Sequence, residues 1–467
     1  MESMTRRTLL SFLPTAVCAA PAKVYGAAPS PRQYLWHGLE FYGFLHFTMN
    51  TFTDKEWGYG DEDPARFAPS AFDADQIVEA LAAAGMKGVI LTCKHHDGFC
   101  LWPTRTTEHS VRRSPFRNGQ GDVVKEIADA ARRRKLAFGV YLSPWDRNHP
   151  QYGQPDYVHV YRRQLRELLT SYGPIFEVWH DGANGGDGFY GGAREKRTID
   201  KKSYYDWPAT WDLVRQLQPN AVIFSDVGPD VRWVGNESGF AGETSWATYD
   251  PVGPDGGDAA PGHTRYKDGG AGHRNARRWL PAECDVSIRP GWFWHENQNA
   301  KVKTPRQLLD LYYKSVGRGA SFLLNVPPDR RGLLHESDVA SLRTLGRALE
   351  STFRRNLLRK ADRRLIDGKR ETCRQGTELT ADIEDNAAFD VIRLREEIRL
   401  GQRIDAFEVD AWDASGWRTI ARSTSVGACR ILRLDQPVAA SKVRLRITQS
   451  AALPAIAEFG LYKEDGL

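Results

Sequence analysis

Cysteine is scarce in this chain of 467 residues: there are six, none in CxxC spacing, and Cys18 falls within the amino-terminal leader. The other five, Cys93, Cys100, Cys284, Cys373 and Cys429, form an odd set without metal-ligand spacing. That argues against both a disulfide framework and a zinc site. Other signatures are missing too. No GxGxxG marks a dinucleotide-binding turn, and no nucleophile elbow or suitably placed Cys/His pair supports a serine or cysteine nucleophile. No basic run interleaved with aromatics tracks a phosphate backbone, and a net charge of +5 is small against 64 basic and 59 acidic residues. No nucleic acid is therefore expected as a partner. Past the leader, no apolar run approaches the roughly 18 residues of a spanning helix, so no membrane partner is expected.

What the chain has in quantity is aromatic surface, with 14 Trp and 17 Tyr. Flat apolar faces with polar edges suit ligands that combine hydroxyls with C–H faces, sugars above all. Hydrophobic residues at 41% and charged residues at 26% are an ordinary globular composition. The length allows two to four domains, or one large barrel with an accessory module. The leader, MESMTRRTLLSFLPTAVCAAPAKVYGA, places two arginines before an apolar stretch and then small residues. This is the pattern of a signal peptide over residues 1–27, possible twin-arginine character included, and implies export to the periplasm or the outside.

Between about 40 and 350, short apolar runs alternate with amphipathic segments. The strand candidates are 42–47, 88–96, 137–143, 175–179, 221–228, 283–288 and 320–326; helical patterns fill 73–85, 122–135, 157–173, 210–219 and 305–319. Strands alternating with helices require crossover connections and a parallel sheet. Seven or eight such units predict an α/β fold with a (β/α)8-like barrel as the catalytic domain, over 28–354. From 355 to 467 the texture becomes short alternating runs separated by turn residues, which predicts an all-β sandwich. Two loops, 182–192 and 250–274, are rich in glycine and could border a site.

Active sites of parallel barrels lie at the carboxyl ends of the strands. There the sequence places His46, then His95-His96-Asp97, then Tyr141, then His180-Asp181, residues far apart in the chain that would converge. Metal binding by His95 and His96 is disfavoured, because neighbours on a strand face opposite ways; neither metal nor organic cofactor is implied. An acid before glycine, as in EVWHDGANG (177–185), is by itself more often a turn former or helix cap, and a single tryptophan such as Trp57 or Trp292 is as often packing. The convergence of the set is what favours a site. Glycoside hydrolysis needs two carboxyl groups flanking one anomeric carbon, with neutral donors and acceptors around them, and Asp181 among histidines and a tyrosine meets that need.

The segments GFLHFTMNTFTDKEWGYG, ILTCKHHDGFCLW, GVYLSPWD, VWHDGANG, RWVGNE and PAECDVSIRPGWFWH, in that order, resemble the α-L-fucosidases of glycoside hydrolase family 29. Through GPDVRWVGNE the chain is most similar to the branch acting on α-1,3/1,4-linked fucose in branched glycans. The resemblance implies a retaining exo-α-L-fucosidase with Asp181 as nucleophile, the carboxyl pair roughly 5–5.5 Å apart, and Gly182 leaving room for the sugar. It implies Glu237 as acid/base, with Glu283 as runner-up and Glu243 a further candidate. His46, Glu56, Trp57, His95, His96 and Tyr141 would line the fucose pocket; Trp292, Trp294 and His295 would border it. Where the family more often carries Phe, this chain has His180, which is expected to point away. Arg232 is open between a ligand contact and an ion pair with a loop acid. The implied partners are fucosylated oligosaccharides or glycoconjugate glycans. The carboxy-terminal segment resembles galactose-binding-like modules, some of which bind carbohydrate while others only pack. Two rival readings stay open: a broad-specificity α-fucosidase, and a carbohydrate-binding protein on a hydrolase-like barrel that does not cut.

Overall fold

The computed structural model describes residues 23–464. The leader prediction over 1–27 lies mostly outside the described residues. Of its last residues, Tyr25 is tied to the body of the protein, its N–H donating to the Leu400 carbonyl at 2.9 Å.

Eight parallel strands close into a barrel: β1 (Phe41–Leu45), β2 (Gly88–Lys94), β3 (Ala137–Leu142), β4 (Glu177–Trp179), β5 (Val222–Ser225), β6 (Val231–Trp233), β7 (Ala282–Ser287) and β8 (Ser321–Asn325). Each pairs with its neighbour in chain order and β8 returns to β1, with Phe41 opposite Phe322. Most strand residues are buried, because one face packs into the lumen and the other under helices; the sequences therefore read as apolar runs rather than alternations. The helices Ala74–Ala83 and Val123–Arg133 start where the sequence said they should. Asp73 accepts the N–H groups of Asp75 and Gln76, and Asp122 that of Lys125, so orphan donors of each first turn are satisfied.

Two departures from regular alternation matter for the site. No helix separates β5 from β6, or β6 from β7. The strand β6 was not anticipated from sequence: three residues inside SDVGPDVRWVGN cannot display a period, and the pairing edges of β5 and β7 decide its conformation. The long excursion 234–281 between β6 and β7, which contains the glycine-rich loop, is therefore free to fold over the barrel mouth. The closing helix Glu336–Phe353, 18 residues long, also lay outside the predicted helices.

The lower lumen is sealed. Trp36, from the helix Pro31–His37, donates from Nε1 to Glu177 Oε2 at 2.9 Å; Trp179 donates to Glu283 Oε1 at 2.8 Å, and Tyr42 to Glu283 Oε2. Above them Trp179 stacks on Phe224 with centroids 4.2 Å apart. The carboxy-terminal region is an antiparallel sandwich of a five-stranded and a four-stranded sheet with its own core around Phe389, Phe407 and Phe459. It docks on the barrel through Val391, Cys429, Ile431 and Tyr462, which join the barrel's outer core, and through Glu40, which receives Arg395 and Arg370.

Candidate active site

Asp181 follows β4 directly, two positions beyond Trp179, and so shares its inward orientation at the mouth. Only 23% of its side-chain surface is open. Each carboxylate oxygen is held: the Ala183 N–H donates to Oδ1 at 2.6 Å and the Tyr141 hydroxyl to Oδ2 at 2.9 Å. Burial pushes its pKa above the usual carboxylate range, and those two hydrogen bonds pull the other way.

Three imidazoles cluster around Tyr141 at the mouth, and one of them approaches this acid. His96 Nε2 lies 3.9 Å from Asp181 Oδ2. Its Nδ1 meets Ser143 Oγ at 2.7 Å, and because the Ser143 hydroxyl proton goes to the Trp145 carbonyl, Nδ1–H is the donor and Nε2 presents a lone pair. His95 receives the Asn50 amide on Nδ1 at 3.4 Å, and His46 Nδ1 donates to Asn325 Oδ1 at 2.9 Å. Burial lowers the pKa of His46 and of His96 to about 3 and that of His95 well below normal, so all three are neutral in the physiological range. A ring of uncharged donors and acceptors is what hydroxyl recognition uses.

The alternation argument for His95 and His96 fails here. The strand β2 ends at Lys94 after a register shift, and the two rings sit 4.1 Å apart on the same side. Among the described residues no three His, Cys, Asp or Glu side chains form a metal-holding group. His180 does turn away, bonding the Tyr161 hydroxyl at 2.8 Å from a fully buried position.

The rim is aromatic and acidic. Trp57, 54% exposed, stands edge-on to His96 and Trp145. Glu56 accepts the Trp292 N–H at 2.8 Å and meets His295 Nε2 at 2.7 Å, while His295 Nδ1 meets Asp54 at 2.7 Å. Trp292 leans on His46 and donates from Nε1 to Glu237 Oε2 at 3.2 Å, which puts exposed Glu237 one indole away from the imidazole ring. Trp294, in contrast, is buried.

Several sequence expectations are corrected. Glu283 lies at the sealed base, fully buried beneath Trp179, with its pKa raised to about 7 by burial; it does not face the mouth. Glu243 sits at the seam with the sandwich, its carbonyl accepting from Arg430. Arg232 is neither a ligand contact nor an ion-pair partner: completely buried, it donates to the carbonyls of Gly269, Trp246 and Leu280 and lies over the Tyr249 ring, pinning the excursion between β6 and β7. Gly182 makes room for protein rather than ligand, since a Cβ there would run into the Asp226 carboxylate, 2.7 Å from Oδ1.

Asp226 itself was missed. It follows β5 as Asp181 follows β4, and the same strand-end signal would have found it had the strand not been extended to 228. It accepts the Gly262 N–H at 2.8 Å and the Tyr266 hydroxyl at 3.0 Å, clamping the glycine-rich excursion beside the nucleophile candidate. Burial raises its pKa to about 6, with the charge of Asp181 contributing. Asp285, two positions above Glu283, was also missed; it receives Trp233 Nε1 at 2.6 Å.

Comparison with known proteins places these features in a family. Residues 31–352 match the family model described as alpha-L-fucosidase. The chain is 42% identical to Alpha-L-fucosidase 1 of Arabidopsis thaliana over 462 residues, covering 93% of this chain and 87% of that one. Among solved structures it is similar to a glycoside hydrolase 29 family member from an unknown rumen bacterium (TM-score 0.86, 42% identity, 95% of this chain and 79% of that one). It is also similar to a Ruminococcus gnavus GH29 fucosidase in complex with fucose (TM-score 0.83, 29% identity, 96% and 97%).

Proposed function

The chain belongs to the α-L-fucosidase family, glycoside hydrolase family 29, and from that premise we propose that it releases α-1,3/1,4-linked fucose from branched glycans by a retaining double displacement. Asp181 attacks the anomeric carbon while Glu237 protonates the departing oxygen, giving a covalent fucosyl-enzyme. Glu237 then takes a proton from water, which attacks the same carbon and frees Asp181.

The observation that carries the reading is the carboxylate of Asp181, fixed through both oxygens at the barrel mouth beside neutral His96, with neutral His46 and His95 clustered on Tyr141. Fixing a nucleophile beforehand spares the transition state that ordering cost. The two hydrogen bonds favour its ionised form against burial. The neutral imidazoles and Glu56 supply partners for ring hydroxyls, and Trp57 offers a face to the C–H side of the sugar. Glu237 beside Trp292 is supported as the acid/base by its position at the rim, and by the burial of Glu283 under the Trp179 layer. The linkage preference rests on the GPDVRWVGNE segment, and export rests on the leader alone.

Two measurements test the reading. Proton NMR of the first-formed product gives α-fucose for retention; β-fucose refutes the mechanism. Turnover of a Lewis-type trisaccharide against an aryl fucoside tests the linkage, and cleavage of the aryl fucoside alone removes that part. Asp181→Asn loses turnover on both substrates. Glu237→Gln loses about 10²–10⁴-fold on the trisaccharide and much less on an aryl fucoside with an acidic leaving group. A folded Asp181→Asn protein that turns over either substrate at the parent rate sinks the nucleophile assignment.

A further inference from the structure

Away from the mouth, a cleft of roughly 570 Å³ runs along the seam between barrel and sandwich. Five arginines line it, along with the acids Glu243, Asp310 and Asp435, and two of the arginines, Arg318 from the barrel and Arg430 from the sandwich, meet at the seam. Arg430 is 3% exposed and Arg318 partly buried. Their backbones form an antiparallel bridge, and the Ile431 N–H donates to the Gly317 carbonyl at 2.9 Å, so the two residues are held as neighbours. Arg430 donates to Ser423 Oγ and to the Glu243 carbonyl; Arg318 donates to the Ala241 carbonyl at 2.7 Å. Among the described residues neither guanidinium has a carboxylate within 4.0 Å.

The other cations on these walls are matched. Lys314 pairs with Asp310 at 2.7 Å, Arg422 with Glu408 at 2.9 Å and Arg418 with Asp413 at 3.6 Å, and Arg433 meets Glu464. Buried charge is normally neutralised by a partner, because desolvation costs several kcal/mol per ion. Two further buried arginines without a carboxylate within 4.0 Å among the described residues are held by backbone instead: Arg232 by three carbonyls and a tyrosine face, and Arg403 by the carbonyls of Leu400, Leu453 and Lys23. Arg430 differs in two respects: among the described residues its only acceptors are one hydroxyl and one carbonyl, and it borders a cleft together with a second guanidinium that has no carboxylate within 4.0 Å. Its pKa is lowered to about 10 by burial and then by the charge of Arg318, with the charge of Glu243 opposing them in part. A planar fork of donors that is always charged is suited to oxygen anions.

We propose that this cleft binds a sulfate-type oxyanion, free or carried as an ester on a sugar, between Arg318 and Arg430. The site is separate from Asp181 and does not depend on the fucosidase reading. The test titrates the intact protein with sodium sulfate by calorimetry and thermal denaturation, against sodium chloride at matched ionic strength. Saturable sulfate binding with a rise in melting temperature is expected, weakened about tenfold to a hundredfold in Arg318→Gln and in Arg430→Gln. Arg318→Gln leaves the Arg430 hydrogen bonds in place, so the test survives if Arg430→Gln fails to fold. A galactose sulfate ester in place of sulfate separates the sources: tighter binding identifies a sulfated sugar, and equal binding identifies the free anion. Sulfate acting no differently from chloride, or Arg318→Gln binding sulfate as tightly as the parent, overturns the proposal.

Discussion

Replacing Tyr141 by Phe isolates one hydrogen bond at the reactive acid. The hydroxyl donates to Asp181 Oδ2 at 2.9 Å, while the ring packs on Trp179 and His95 with centroids 5.2 and 5.9 Å away, and the Phe ring preserves those contacts. A hydrogen bond to a charged group contributes about 1.5–3 kcal/mol. Losing it withdraws that stabilisation from the ionised form, so the pKa of Asp181 rises. The sign follows from the site: burial already lifts this pKa and the Tyr141 hydroxyl opposes the lift, so removing the hydroxyl lifts it further. A nucleophile must be ionised, so the acid limb of the kcat/KM profile moves to higher pH. Stability moves with it. An acid whose folded pKa lies above its unfolded value contributes stability at low pH that is lost as pH rises through the folded pKa. The variant therefore loses more melting temperature at neutral than at acid pH. The assay is the pH profile on an aryl fucoside together with thermal denaturation at both pH values. An acid limb that stays in place or moves to lower pH, in a folded protein, refutes the account of the site.

Two other expectations follow from residues the sequence misjudged. Gly182→Ala forces a methyl group onto the Asp226 carboxylate and is expected to cost about 1–3 kcal/mol, read by chemical denaturation. The double variant with Asp226→Ala should be less destabilised than the sum of the singles, and strict additivity would show that Gly182 is not shaped by Asp226. Glu283→Gln tests the sealed base: burial raises the pKa of Glu283 and of its coupled neighbour Glu177, so the parent loses stability as pH rises through their titration, and the variant reduces that slope. Because Glu283 does not face the mouth, fucoside turnover by the folded variant should persist, and its abolition would return Glu283 to the catalytic candidates.

The amino-acid sequence determined the barrel followed by a sandwich, because strands buried on both faces and amphipathic helices are local patterns that need no partner to be read. It determined the strand ends to within one to three residues, close enough to find His46, His95, His96, Tyr141 and Asp181 but not Asp226, since polarity breaking an apolar run marks where a strand leaves the core. Tertiary structure decided what a period cannot encode. The strand β6 is three residues long and exists because two neighbouring edges are open to it. Whether a glutamate or an arginine serves chemistry or packing depends on what lies above it: Glu283 and Arg232 stand in loop-flanked, polar-looking segments, yet one is sealed under Trp179 and the other under the chain it pins. Gly182 and Asp226, 44 positions apart, explain each other only through a contact between the ends of two neighbouring strands. Arg318 and Arg430 become a pair only when the sandwich docks, because like charges approach that closely only where burial of the surrounding apolar surface compels it.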